Sequence, residues 1–184
     1  MRTRVGSELP EEALEQIALE AGRLSMAVHF HTGSGCGEYF DDQGSDAMLL
    51  SPMLNDPELR KTNFVILHGN PPKERSVSFL IAKPNVYVDM SVLEFYWSPE
   101  ELARILRPWL EIMPEHVMFG SDAGPFGPGF DWEETVLIAS HHVRRALALV
   151  LTDMTRDGTI SKNRAKEIAE RVLRGNAAQL YGMN

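Results

Sequence analysis

The sequence predicts an α/β protein built on about four parallel strands, and three observations carry that reading. Short apolar, β-rich runs alternate with amphipathic stretches of helical period. Gly/Pro-rich loops separate the two kinds of segment. A helix follows most runs before the next begins, which sends successive strands in the same direction. The predicted strands are 24–31 (LSMAVHFH), 63–68 (NFVILH), 85–90 (NVYVDM) and 116–120 (HVMFG).

Between them the pattern places helices at about 46–61, 73–83 and 98–112, preceded by one at about 10–22 and followed by a long one at about 131–156. Ser98-Pro99-Glu100-Glu101 is a helix start, with Ser as N-cap, Pro at the first helical position and Glu three residues after the cap. Asp157-Gly158 is expected to stop the long helix. A further helix at about 161–174 is expected to end at Gly175, with Asn176 capping a last turn, AAQLYG. No repeat, linker or composition shift divides the chain, so 1–184 reads as one domain.

Composition narrows the function classes. With 43% hydrophobic and 24% charged residues and no apolar run near the roughly 20 residues that cross a bilayer, the chain is expected to be soluble, without a membrane partner. MRTRVGSELPEEALEQ has two arginines but no apolar segment behind them, unlike a secretory signal, so a cytoplasmic location is expected. The single cysteine, Cys36, rules out an internal disulfide and a multi-cysteine zinc module, so a metal here would use histidine and carboxylate. A net charge of −8 without a basic stripe argues against nucleic acid and for a small-molecule substrate.

In parallel βα proteins chemistry collects where the strands end, because the βα loops open there. Three of the four strands end in groups that bind metal or move protons: His31 before Thr32-Gly33, His68 before Gly69-Asn70, and Asp122 after Phe119-Gly120-Ser121. The other ends in Asp89-Met90-Ser91. A lone histidine at a strand end is usually structural, but three such groups on one rim suit a metal site that keeps a position open for water. Gly33, Gly35, Gly37, Gly124, Gly127 and Gly129 fit either a ligand-approaching backbone or ordinary turns.

VHFHTGSG, FVILHGNPP, NVYVDMS, VMFGSDAGPF and RGNAAQLYG, in this order and at βα-unit spacing, resemble the C-terminal half of an amidohydrolase-related protein (amidohydrolase 2). The nearest resemblance is to the branch associated with glutamine synthetase, over about residues 10–183. The resemblance implies a metal-dependent TIM-type (β/α) barrel in which the four strands are the fifth to the eighth. It implies His31 as a metal ligand, His68 as a second metal ligand or water-activating group, and Asp122 as metal contact and general base. The implied metal is divalent, with zinc the first expectation, and Ser121 and Gly124-Pro125-Phe126 would line the pocket. The activity implied is hydrolysis of a small, carboxylated substrate by a metal-activated water, with non-oxidative decarboxylation as the alternative.

The family's first-strand His-x-His has no counterpart in this chain. Four strands alone would leave sheet edges open, so a homo-oligomer, or a partner supplying the missing half-barrel, is expected. A catalytically incomplete half-barrel serving as a binding module is the non-enzymatic alternative.

His29 lies two residues before His31 and so on the same strand face, either touching the metal or hydrogen-bonding behind it. Other polar residues have blander readings. His141 and His142 are adjacent on a helix and point about 100° apart, which suits surface or packing roles. His116 precedes its strand and reads as structural, and Asp89 is expected to satisfy backbone groups. Phe95-Tyr96-Trp97 fits a substrate wall, an interface or core, and Glu11, Glu12 and Glu15 an exposed helix face.

Overall fold

The computed structural model describes residues 11–33 and 43–183; Gly35, Cys36 and Gly37 fall outside them. Helix α1 (Glu11–Arg23) leads into strand β1 (Ala27–His31). The strand begins three residues later than the sequence suggested, because Leu24 N and Met26 N still bond to the helix carbonyls of Glu20 (3.0 Å) and Ala21 (2.9 Å). After β1 the chain makes a 3₁₀ turn (Ala47–Leu50), the short helix α2 (Ser51–Asn55) and a second 3₁₀ turn (Pro57–Leu59), in place of the single helix expected at 46–61. Pro57 has no N–H to continue α2, and the Asp56 carboxylate accepts from Glu58 N at 2.8 Å to start the next turn.

Strand β2 (Asn63–Leu67), helix α3 (Glu74–Leu80) and strand β3 (Val86–Asp89) follow, then a one-turn helix, α4 (Leu93–Tyr96), and helix α5 (Pro99–Ile112). Ser98 caps α5 as its sequence indicated, accepting from Glu101 N at 3.2 Å. Strand β4 (Val117–Met118) precedes the long helix α6 (Trp132–Arg156), which stops at Asp157, with Gly158 at φ +82°. Helix α7 (Lys162–Glu170) does not end at Gly175. It passes through a π-helical turn (Arg171–Gly175) into helix α8 (Asn176–Leu180), and Gly175 keeps right-handed helical dihedrals. Asn176 caps nothing: it is buried, and its Nδ2 donates to Pro114 O and Val117 O, both at 2.8 Å, which ties the bend to the start of β4.

The four strands form one parallel sheet in the order β1-β2-β3-β4, in register Phe30 with Ile66, Ile66 with Val88, and Val88 with Val117. Phe64, Ile66, Val86 and Val88 face a helical layer containing Leu102, Leu106, Trp109, Val143, Leu147 and Met154, and all ten are buried. Each such side chain contributes about 1.5–3 kcal/mol of transfer free energy. Phe30 packs toward this layer, its ring 6.2 Å from that of Phe64. Strand alternation therefore turns His29 and His31 to the opposite face, where both are exposed. The outer edges of β1 and β4 have no strand partner among the described residues. No helix among those residues is long and apolar enough to cross a membrane.

Candidate active site

The C-terminal ends of the strands bring together His31, His68, Asp89 and Asp122. The backbone there is unusual: His68 (φ +65°), Asn70 (+62°), Val92 (+68°) and Asp122 (+45°) all occupy the left-handed region without being glycine. His68 stands one residue past β2 rather than inside it, and the left-handed turn redirects its side chain away from the strand's alternation. Gly69 permits this fold-back (φ +61°), since a Cβ there would lie 2.4 Å from the Trp109 ring.

Asp89 is the hub of the rim. Its Oδ1 accepts from His68 N (2.9 Å), Ser91 N (3.1 Å) and Ser91 Oγ (2.6 Å), as its expected backbone role requires. Because the Ser91 hydroxyl donates to Asp89, its oxygen is left to accept from His68 Nδ1 at 2.8 Å; the Ser91 carbonyl lies 3.3 Å from the same nitrogen. The proton of a neutral His68 therefore sits on Nδ1, which leaves Nε2 as the acceptor. This is how metal-binding or base-acting imidazoles are oriented.

His31 meets His68 edge to face, with ring centroids 4.4 Å apart. Burial, helped by His68 and opposed by Asp122, lowers the His31 pKa and so favours its neutral form, the one that can ligate. His29 lies one layer deeper on the same face, hydrogen-bonded through Nε2 to the Tyr181 hydroxyl at 3.0 Å.

His31 and Asp122 border a cavity of about 550 Å³, walled by Val92, Glu94, Phe95, Tyr96, Phe126, Phe130, Ile138 and His142. Of the predicted lining, Phe126 is there; Ser121, Gly124 and Pro125 are not. Phe95 and Tyr96 line this cavity, while Trp97 donates to Glu74 Oε1 at 3.2 Å. His68 is buried behind this wall, 2% exposed.

Sequence reasoning missed five wall residues, Val92, Glu94, Phe130, Ile138 and His142, two of them ionisable. His142 is not merely a surface residue: its Nδ1 donates to the Glu94 carbonyl at 2.7 Å, fastening α6 to α4. Nothing in the sequence pattern marks it, since it lies mid-helix. Glu94 is fully buried, and neither carboxyl oxygen has a hydrogen-bond partner in another residue. Burial pushes its pKa up to about 9; its own N–H works the other way, and the Asp89 and Asp122 carboxylates add to the rise. Its place in the loop after β3 was the available signal.

The donor types, imidazole and carboxylate, suit a divalent metal, and the oriented His68 ring strengthens the fit. Among the described residues no three His, Cys, Asp or Glu side chains stand in a ready-made ligating group.

Comparison with known proteins supports the same architecture. The sequence profile of the Amidohydrolase family matches residues 3–183. Over 168 residues the chain is 31% identical to protein FluG of Emericella nidulans, an alignment covering 91% of this chain and 18% of FluG. The fold superposes with a TM-score of 0.79, at 22% identity, on a crystal structure from Lactobacillus casei ATCC 334 whose protein is provisionally named a metal-dependent hydrolase. That match covers 92% of this chain and 43% of the other. The chain thus spans less than half the length of either relative. With the profile running across nearly its whole length, the protein belongs to the amidohydrolase family.

Proposed function

We propose that this chain carries the proton-transfer side, and part of the metal-binding side, of a metal-dependent hydrolase acting on a small molecule. The observation that carries the reading is the convergence of His31, His68 and Asp122 on one rim. There the Asp89–Ser91 relay fixes the protonated nitrogen of His68 and leaves the other as acceptor. Under this reading His31 and Asp122, with His68 beside them, would supply part of the shell of a divalent metal that groups outside this set complete, zinc being the ion that best suits the donor types. When bound, the metal supplies Lewis acidity, lowering the pKa of water and polarising a carbonyl.

The chain's own groups do the rest. Asp122, at the cavity wall, accepts the proton given up as water attacks and returns it to the leaving group. Ser91 and Asp89 hold the His68 ring through its Nδ1, so that Nε2 keeps one orientation throughout. Phe95, Phe126 and Phe130 wall off one side from water. Among the described residues no Lys or Arg lines the cavity. A substrate carboxylate would therefore pair with the metal or with residues from outside this set. The unpaired edges of β1 and β4 support completion of the barrel by a second copy or by further strands.

The test is elemental analysis of protein never exposed to chelator, paired with its mass in solution. The proposal expects metal near one per assembled site, with occupancy lowered by His31→Ala and by Asp122→Ala. Less than about 0.1 metal per chain, unchanged by added zinc, would overturn it.

A further inference from the structure

We propose that Glu94 recognises a protonated amine, so that the ligand class of this cavity is a small primary ammonium on an apolar or aromatic body. This deepens the proposed function by naming a substrate class, and rests on it only in treating the cavity as the substrate's. Glu94 forms part of the wall that also carries His31 and Asp122, and it is the one fully buried acid among the described residues with both oxygens unpartnered. A buried carboxyl without a partner in another described residue costs stability, and a ligand group inserted at the wall would supply the donor it lacks.

The turn that carries Glu94 is held in place against strain. Val92, a β-branched residue, sits at φ +68°; Leu93 is anchored in the core; and His142 Nδ1 grips the Glu94 carbonyl. Such strain needs an over-determined surrounding, which these contacts provide.

The rest of the wall selects the sign of the ligand. Phe95, Phe126 and Phe130 stand with successive ring centroids 5.6 and 6.4 Å apart, an aromatic surface suited to a cation and its apolar body. Among the described residues the ionisable groups around Glu94 are Asp89 from β3, Tyr96 from α4, Asp122 from the loop after β4, His142 from α6 and His31 from β1, with no lysine or arginine in the cavity's lining. An anionic group brought to Glu94 would meet acids; an ammonium, with three N–H donors, would meet the two unpartnered Glu94 oxygens. Burial also keeps Glu94 protonated near neutrality, so pairing with an ammonium expels that proton.

The experiment is a calorimetric titration of the purified chain with benzylamine, benzyl alcohol and benzoate, in two buffers of different ionisation enthalpy near neutral pH. Benzylamine is expected to bind saturably, about tenfold or more tighter than either analogue, with a buffer-dependent heat that reports proton release. Glu94→Gln is expected to cost benzylamine about tenfold in affinity, remove the buffer dependence and leave benzyl alcohol unchanged. Equal binding of benzylamine and benzyl alcohol, or full benzylamine affinity in the variant, overturns the proposal. If the variant does not fold, the three-probe comparison on the unaltered chain decides alone. A chain that prefers benzylamine but carries no metal loses the hydrolase and keeps the amine subsite; the reverse result does the opposite.

Discussion

The two ends of the sheet differ in backbone strain and in how a buried acid is met. At the start of β4, His116 is buried with Nδ1 bonded to the Ile81 carbonyl at 3.0 Å and its ring packed on Tyr87, and Asn176 tethers two carbonyls beside it. At the other end, His68, Val92 and Asp122 adopt left-handed backbones, two imidazoles crowd together, and Glu94 is buried unpartnered. Two buried glutamates at this second end differ from each other: Glu74 accepts from Trp97 Nε1, while Glu94 accepts from no other described residue. At the first end side-chain nitrogens are tied to carbonyls, although Asn176 Oδ1 itself has no partner among the described residues; at the second, several left-handed residues gather around a carboxyl with both oxygens unpartnered.

Substitutions at the two ends should therefore fail in different measurements. The largest expected effect is on chemistry: Asp122→Asn should lower turnover by about 10²–10⁴-fold while leaving thermal stability near that of the parent, checked by kinetics beside a melting curve. On the helical layer the reverse holds. Trp109, fully buried and donating to the Glu74 carbonyl at 2.9 Å, should cost about 3–5 kcal/mol when replaced by Ala, read by denaturant unfolding.

Between these lies Ser91→Ala, which breaks the link from Asp89 to His68 Nδ1. It should weaken metal binding by about 10–100-fold in a competitive chelator titration.

Glu94 gives a prediction of opposite sign. Glu94→Leu removes an unpartnered buried acid and should raise stability by about 1–3 kcal/mol, whereas loss of a satisfied group would lower it.

The same residue sets a pH dependence in metal-free protein. Its folded pKa, about 9, lies above the ordinary value of 4.5, so the folded state holds the proton more tightly than the unfolded one. The resulting stabilisation is complete below about pH 4.5 and is lost as pH climbs toward 9, with a slope approaching about 1.4 kcal/mol per pH unit. Unfolding of Glu94→Gln across that range should lack this component. Smallest is Ser98→Ala, which removes the α5 cap and should cost about 1 kcal/mol with no effect on metal.

Much of this contrast was legible in the sequence. Hydrophobic period placed the four strands, and strand-end position singled out His31, His68 and Asp122, because a parallel sheet gives one end of every strand the same neighbours. The residues that complete the wall were less legible for physical reasons. His142 acts from the middle of a helix whose distance from β3 depends on α5–α6 packing, which no local pattern encodes. Glu94 looks like an ordinary surface acid until the left-handed turn at Val92 carries it inward. The continuous passage through Gly175 escaped notice because a glycine that could stop a helix was overridden by the tether of Asn176 to β4.

The central claim, that the strand-end rim binds a metal, is tested most directly by anomalous diffraction at the zinc edge from crystals grown with zinc. The account predicts a peak about 2.0–2.2 Å from a ring nitrogen of His31 and an oxygen of Asp122. A zinc-containing crystal with no peak between those residues, or with its peak at His29 and Tyr181 instead, would contradict it.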